Sequence, residues 1–201
     1  MLDAQLRPLI DRVLNPIGRG LAVLGITANQ VTMVGVAFGL IAAGCVAAGL
    51  FYLAFWFVIA NRIIDGLDGA VARASRPSDF GGYLDIVSDF IFYSAIPLAF
   101  AVARPETALV AAFLIFSFIG TATSFLGFAI LAEKHHFTTQ ISGKKAFYYL
   151  GGLTEGTETI VLFLAMLVWP DYFSHMAIIF GILCWVTTGT RIHAAYCQFN
   201  D

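Results

Sequence analysis

The sequence predicts an all-α membrane protein in which six transmembrane helices follow an N-terminal amphipathic interfacial helix. Three observations predict it. Of the 201 residues, 59% are hydrophobic and only 12% charged, where a soluble domain carries roughly a quarter charged residues. Six apolar stretches recur along the chain. The basic residues gather in alternate connections between them, as the positive-inside rule requires of a polytopic protein. Residues 1–26 form the interfacial helix on this reading, and residues 27–201 the membrane domain.

Residues 2–24 set Arg7, Asp11, Arg12 and Arg19 among Leu6, Leu9, Ile10, Val13, Leu14 and Ile17. These apolar positions fall at helical intervals and suit a helix lying in the membrane interface. Charges interrupt them, so the stretch lacks the compact hydrophobic run of a signal peptide. Thr27, Asn29, Gln30 and Thr32 then supply small polar groups able to cap the next helix.

Residues 32–53 are almost free of charge and, at 1.5 Å rise per residue, cross a hydrocarbon core of about 30 Å. After a turn around residues 49–52, the second span, 54–72, carries Arg62, Asp65 and Asp68 toward its end. Arg76 and Pro77 mark a short polar loop over 73–78. The third span, 82–102, opens with Asp85 and Asp89, and Arg104, Pro105 and Glu106 mark the turn before a fourth, 108–131. Residues 133–145 are the longest polar interval, with Lys134, His135, His136, Lys144 and Lys145, followed by Phe147, Tyr148 and Tyr149 at a membrane interface. The fifth span, 153–169, carries Glu155 and Glu158 near its start, and the sixth, 175–195, has Arg191 and His193 near its end.

With a cytoplasmic N-terminus, Arg7, Arg12, Arg19, Arg73, Arg76, Lys134, Lys144, Lys145 and Arg191 share one side and Arg104 lies opposite. That asymmetry places both termini in the cytoplasm. It also brings the end of the second span and the start of the third, with all four aspartates, to the cytoplasmic face. The net charge of −2 gives no sign of a nucleic-acid partner. Cys45, Cys184 and Cys197 are too scattered for a zinc site or disulfide framework and read as packing residues. Adjacent His135 and His136 read as solvated, because neighbouring residues do not share a helix face.

Asp65 and Asp68 stand at i, i+3, and Asp85 and Asp89 at i, i+4, so each pair lies on one helix face. One intramembrane carboxylate costs roughly 2.5–3.5 kcal/mol on insertion scales, so four together call for cations, water, or both. Oxygen donors alone point to a hard ion, Mg²⁺ or Mn²⁺. Two such ions suit phosphoryl or diphosphate chemistry. Gly69 and Gly81 leave room for a diphosphate to approach the backbone, and Arg73 offers a fork of donors to its oxygens.

The run Asp65, Asp68-Gly69, Ala72-Arg73, Gly81, Asp85, Asp89 resembles the signature of the CDP-alcohol phosphotransferase (phosphatidyltransferase) family. Beyond the first aspartate, seven residue choices match over the 25 positions from Asp65 to Asp89. The chain departs twice: seven residues instead of eight separate Arg73 from Gly81, and Ala28 stands where the family usually has proline. The resemblance implies attack by an acceptor hydroxyl on the phosphate of a CDP-linked donor, with CMP leaving. It makes Asp65, Asp68 and Asp85 metal ligands, with Asp89 completing the site and taking the acceptor's proton. It makes Gly69, Arg73 and Gly81, with Ser78 as a weaker candidate, contacts to the nucleotide and diphosphate. It also implies a homodimer.

An active site at the lipid boundary favours CDP-diacylglycerol as donor. For the polar acceptor, Lys144, Lys145 and Arg191 would recognise a phosphate, whereas Glu155 and Glu158 would suit hydroxyls or an ammonium group. Each set has a plainer reading: the lysines as topology or headgroup contacts, the glutamates as acidic residues at a helix start. Two other functions share the aspartates: a membrane prenyltransferase, whose second Asp-rich motif is not found after Asp89, and a cation carrier or channel.

Overall fold

The computed structural model describes residues 2–135 and 153–199. Among them the chain is wholly helical, with α1 Leu2–Val23, α2 Ala28–Ala47, α3 Phe51–Ala74, α4 Asp79–Ala103, α5 Ala108–Lys134, α6 Gly156–Val168 and α7 Phe173–Phe199. Short 3₁₀ turns at Pro105–Thr107 and Pro170–Tyr172 precede α5 and α7. α2, α4, α5 and α7 are long and apolar enough to cross a membrane. Their outward faces carry large apolar side chains such as Leu40, Leu98, Leu109 and Ile179, as a lipid-facing surface must.

Local chemistry sets the helix ends. α1 and α2 each end on a glycine with positive φ, Gly25 at 80° and Gly49 at 75°. In both, the next amide reaches back five residues to close the end, Ile26 to the Leu21 carbonyl at 3.1 Å and Leu50 to the Cys45 carbonyl at 2.8 Å. The first apolar helix therefore stops at Ala47, short of the boundary at residue 53 expected from hydropathy, because hydropathy does not register a backbone turn between two apolar runs. Thr27 caps α2 as expected: its Oγ1 accepts from the Gln30 amide at 3.3 Å, and the Gln30 side chain accepts from the Thr27 amide at 2.9 Å.

α6 is shorter than the expected 153–169. Its 13 residues rise about 20 Å, with Glu155 as N-cap and Pro170 just beyond its end. α3 has 24 residues, about 36 Å, and includes Arg62, Asp65, Asp68 and Arg73. Cys184 is buried and Cys45 partly so, but Cys197 is exposed. Cys197 lies with its Sγ 3.7 Å from His193 Nε2 in the last turns of α7, so the packing reading fails there.

Small residues let the helices approach. α2 buries Gly35, Gly39, Ala42 and Val46, one stripe of the helix, and packs on both α3 and α4. A Cβ on Gly39 would fall 2.9 Å from Phe92 Cδ2 of α4 and 3.1 Å from Asn61 Nδ2 of α3. α1 lies against α3. A Cβ on Gly18 would meet the α3 backbone at 2.7 Å (Ala70) and 2.9 Å (Val71). The core between α4, α5, α6 and α7 is closed by Ile96, Phe100, Leu114, Phe163, Met166 and Phe173, all fully buried.

Candidate functional site

The C-terminal half of α3 and the first turns of α4 bring the predicted aspartates together. One carboxylate oxygen from each of Asp65, Asp68 and Asp85 lies within 4.8 Å of the others. Asp68 is buried and accepts a hydrogen bond from Thr32 Oγ1 of α2 at 2.7 Å. Thr32 is itself oriented by donating to the Ala28 carbonyl at 3.0 Å; a hydroxyl has one proton, so the two acceptors share it. Three carboxylates this close repel one another, and the donors are all hard oxygens. The arrangement fits a divalent cation of the magnesium or manganese type and offers nothing to a soft one.

Asp89 is placed differently. Its Oδ1 accepts from Arg62 Nη1 at 2.9 Å, and the same nitrogen lies 3.5 Å from Asp65 Oδ2. Arg62 in turn donates from Nε to Asn61 Oδ1 at 2.9 Å, and Asn61 Nδ2 donates to the Gly35 carbonyl at 2.8 Å. The guanidinium carbon stands 5.0 Å from the centre of the Phe92 ring. Thr32, Gly35, Asn61, Arg62, Asp65, Asp68 and Asp89 line one cleft between α2, α3 and α4.

The residues read as nucleotide contacts lie on the last turns of α3 and at the start of α4. Ser78 is the N-cap of α4 and accepts from the Gly81 amide at 3.0 Å. A Cβ on Gly81 would come within 3.0 Å of Asn29 Oδ1 and 3.1 Å of Ser78 Oγ, so the missing side chain leaves space between the starts of α2 and α4. A Cβ on Gly69 would lie 3.2 Å from Arg73 Nη1. Arg73 is pinned to α1, with Nη2 2.7 Å from Asp11 Oδ1 and 3.0 Å from Asn15 Oδ1. α1 thereby helps to position a motif side chain.

The acceptor candidates are not gathered into this cluster. Glu158 accepts from the Glu155 amide at 3.2 Å, a capping interaction at the start of α6. Arg191 is buried between α5 and α7, donating to the Thr121 carbonyl at 3.0 Å with its guanidinium carbon 5.6 Å from the Phe125 ring centre. Lys144 and Lys145, like His136, lie outside the described residues. His135 is exposed at the end of α5, its ring 5.4 Å from Phe199.

Sequence reasoning missed Thr32 and Asn61. Neither carries a sequence signal, because a lone Thr or Asn in an apolar helix is common and its partner lies on another helix. Arg62 did carry one: a cation one turn before Asp65 in a membrane helix must find a carboxylate.

Aspartates clustered on the facing ends of two successive helices of an all-helical membrane fold suit a class of membrane proteins that handle a diphosphate through divalent cations. The family profile for CDP-alcohol phosphatidyltransferases matches residues 25–192, and the chain belongs to that family, whose members release CMP. Inner membrane protein YnjF of Escherichia coli is 48% identical over 202 residues, spanning 100% of this chain and 98% of the relative. The archaetidylinositol phosphate synthase of Pyrococcus horikoshii is 39% identical over 87 residues, 43% of this chain and 46% of the relative. Among solved structures, Mycobacterium tuberculosis phosphatidylinositol phosphate synthase with CDP-DAG bound superposes with a TM-score of 0.73 at 21% identity, covering 92% of this chain and 94% of that one. Its complex with manganese and citrate gives 0.71 at 22% identity, covering 92% and 89%. These superpositions show the fold, and family membership favours transfer from a CDP-alcohol over the prenyltransferase and carrier readings.

Proposed function

We propose that this protein transfers a phosphatidyl group from CDP-diacylglycerol to the hydroxyl of a polar acceptor, releasing CMP at the cytoplasmic face of a bacterial inner membrane. The observation that carries the proposal is the convergence of Asp65, Asp68 and Asp85 to within 4.8 Å, across the gap between two helices that a short loop joins. The inner-membrane relative and the CDP-DAG and manganese complexes of the same fold support the setting, the donor and the metal. The distribution of basic residues supports six spans, α2 to α7, with both termini cytoplasmic and residues 1–26 as an interfacial helix outside the 27–201 catalytic domain. Family resemblance supports a homodimer.

Asp65, Asp68 and Asp85 would hold Mg²⁺ or Mn²⁺, with Asp89 joining when a second ion is present. Such ions neutralise the diphosphate and polarise the phosphate under attack. The remaining work falls to the chain's own groups. Thr32 holds the Asp68 carboxylate at 2.7 Å, fixing one ligand direction. Gly69 and Gly81 keep side chains out of the diphosphate's path, and Arg73 and Ser78 present donors at its rim. Asp89, whose Oδ1 accepts from Arg62 before a donor is bound, would take the proton of the acceptor hydroxyl. Lys144, Lys145, Arg191, Glu155 and Glu158 are the positions to vary for acceptor choice.

The test is CMP release from CDP-diacylglycerol by the purified protein in lipid with Mg²⁺, against acceptors including glycerol phosphate, inositol phosphate, serine and an amino alcohol. One acceptor should give CMP and a new phospholipid in equal amounts. No CMP with any hydroxyl acceptor, from folded and metal-loaded protein, would sink the proposal.

A further inference from the structure

Arg62 is a basic side chain set among the aspartates of the α2–α3–α4 cleft. Its Nη1 bonds Asp89 at 2.9 Å and lies 3.5 Å from Asp65. Contacts independent of either carboxylate hold the guanidinium in place: Nε on Asn61 Oδ1, Asn61 on the α2 backbone, and the Phe92 and Tyr93 rings at 5.0 and 5.9 Å from its carbon. An arginine held by its own amide partner and two aromatic rings is a fixed, permanent charge. Asp89, one turn beyond Asp85, is directed to that charge and is not one of the three clustered aspartates.

We propose that Arg62 is a built-in counter-cation that holds Asp89 apart from the three-aspartate cluster, so that the donor-free enzyme binds one divalent ion and takes up a second only together with a diphosphate. The inference rests on the reading of Asp65, Asp68 and Asp85 as metal ligands. Formal charge decides the order of events. Asp65, Asp68, Asp85 and Asp89 against Arg62 leave −3. One divalent ion brings that to −1, and a second would bring it to +1 beside a guanidinium in a membrane helix, where uncompensated charge is expensive. A diphosphate reverses the sign and draws Arg62 or the second ion toward its own oxygens, which frees Asp89. Reciprocity follows: if the diphosphate promotes the second ion, the second ion tightens the diphosphate by the same factor. Arg62 is a positioning residue on this account, acting through Asp89.

The experiment is a Mn²⁺ titration of the full chain in lipid nanodiscs, reading free Mn²⁺ by electron paramagnetic resonance, with and without CDP as the diphosphate probe. The wild type should bind one ion alone and two with CDP. Arg62→Gln should bind two ions without CDP, and Arg62→Lys, which restores the charge, should return to one. Asp89→Asn should keep the first ion's affinity within twofold and take up no second ion with CDP. Two ions on the wild type without CDP, one ion on Arg62→Gln, or a tenfold loss of the first ion in Asp89→Asn would each overturn the proposal. No ion on any variant would overturn both it and the metal reading. The expected ion counts combined with no CMP release from CDP-diacylglycerol would remove the proposed function and leave this inference standing.

Discussion

The two ends of α3 and α4 are built from opposite materials. At one end the start of α3, the end of α4 and the start of α7 meet through aromatic rings, Phe100 stacked on Phe173 at 4.3 Å and on Phe51 at 5.4 Å. Arg104 lies over Phe51 and pairs with Asp171 at 2.8 Å. About 22 Å along α4, the other end holds glycines, aspartates and an arginine, joined by hydrogen bonds and ion pairs. The aromatic end gains dispersion energy from close packing. The acidic end brings like charges together, which opposes folding until a cation arrives. Stability and chemistry are therefore assigned to different ends of the same two helices, and substitutions at the two ends should separate the two properties.

The largest effect belongs to the acidic end. Asp68→Asn should lower CMP release at least a thousandfold without lowering the melting temperature, since it removes a repelling charge. A melting temperature that falls along with activity would break the division. At the aromatic end, Phe100→Ala should cost about 3–5 kcal/mol of stability, as emptying a buried aromatic site does. Thermal unfolding in detergent would measure it, and activity per folded molecule at low temperature should stay within twofold. Thr32→Val tests the support of the site: losing a hydrogen bond to a charged group is worth about 1.5 kcal/mol, so half-saturation with Mn²⁺ should rise roughly tenfold. The smallest effect should come from Arg104→Ala. Its partner Asp171 is 85% exposed, and exposed ion pairs contribute about 1 kcal/mol or less, so activity should be unchanged and the melting temperature should move by a few degrees at most.

The comparison also explains what could be read in advance. Charge is rare in this chain, so Arg62, Asp65, Asp68, Asp85 and Asp89 stand out from sequence alone. Their spacing of three and four residues is local helical geometry, which needs no tertiary information. The capping of α2 by Thr27 and Gln30 was legible for the same reason. The turn at Gly49 was legible as well, but the end of the first apolar helix at Ala47 was not, because an apolar turn between two apolar helices leaves no hydropathy signal. Glu155 and Glu158 had two readings of equal standing, and the capping contact at the start of α6 became visible only once the backbone there was in view.

Composition, spacing and the aspartate–glycine–arginine signature determined by themselves that this is a helical membrane protein of a diphosphate-handling transferase family, because each depends on residues close in the chain or on bulk hydrophobicity. The tertiary structure decided which aspartates meet. It clusters Asp65, Asp68 and Asp85, assigns Asp89 to Arg62, and brings Thr32 from α2 to Asp68 and Asp11 from α1 to Arg73. Those pairings join residues 27 to 62 positions apart, and only the close approach of helices through Gly18, Gly35 and Gly39 brings them within bonding distance.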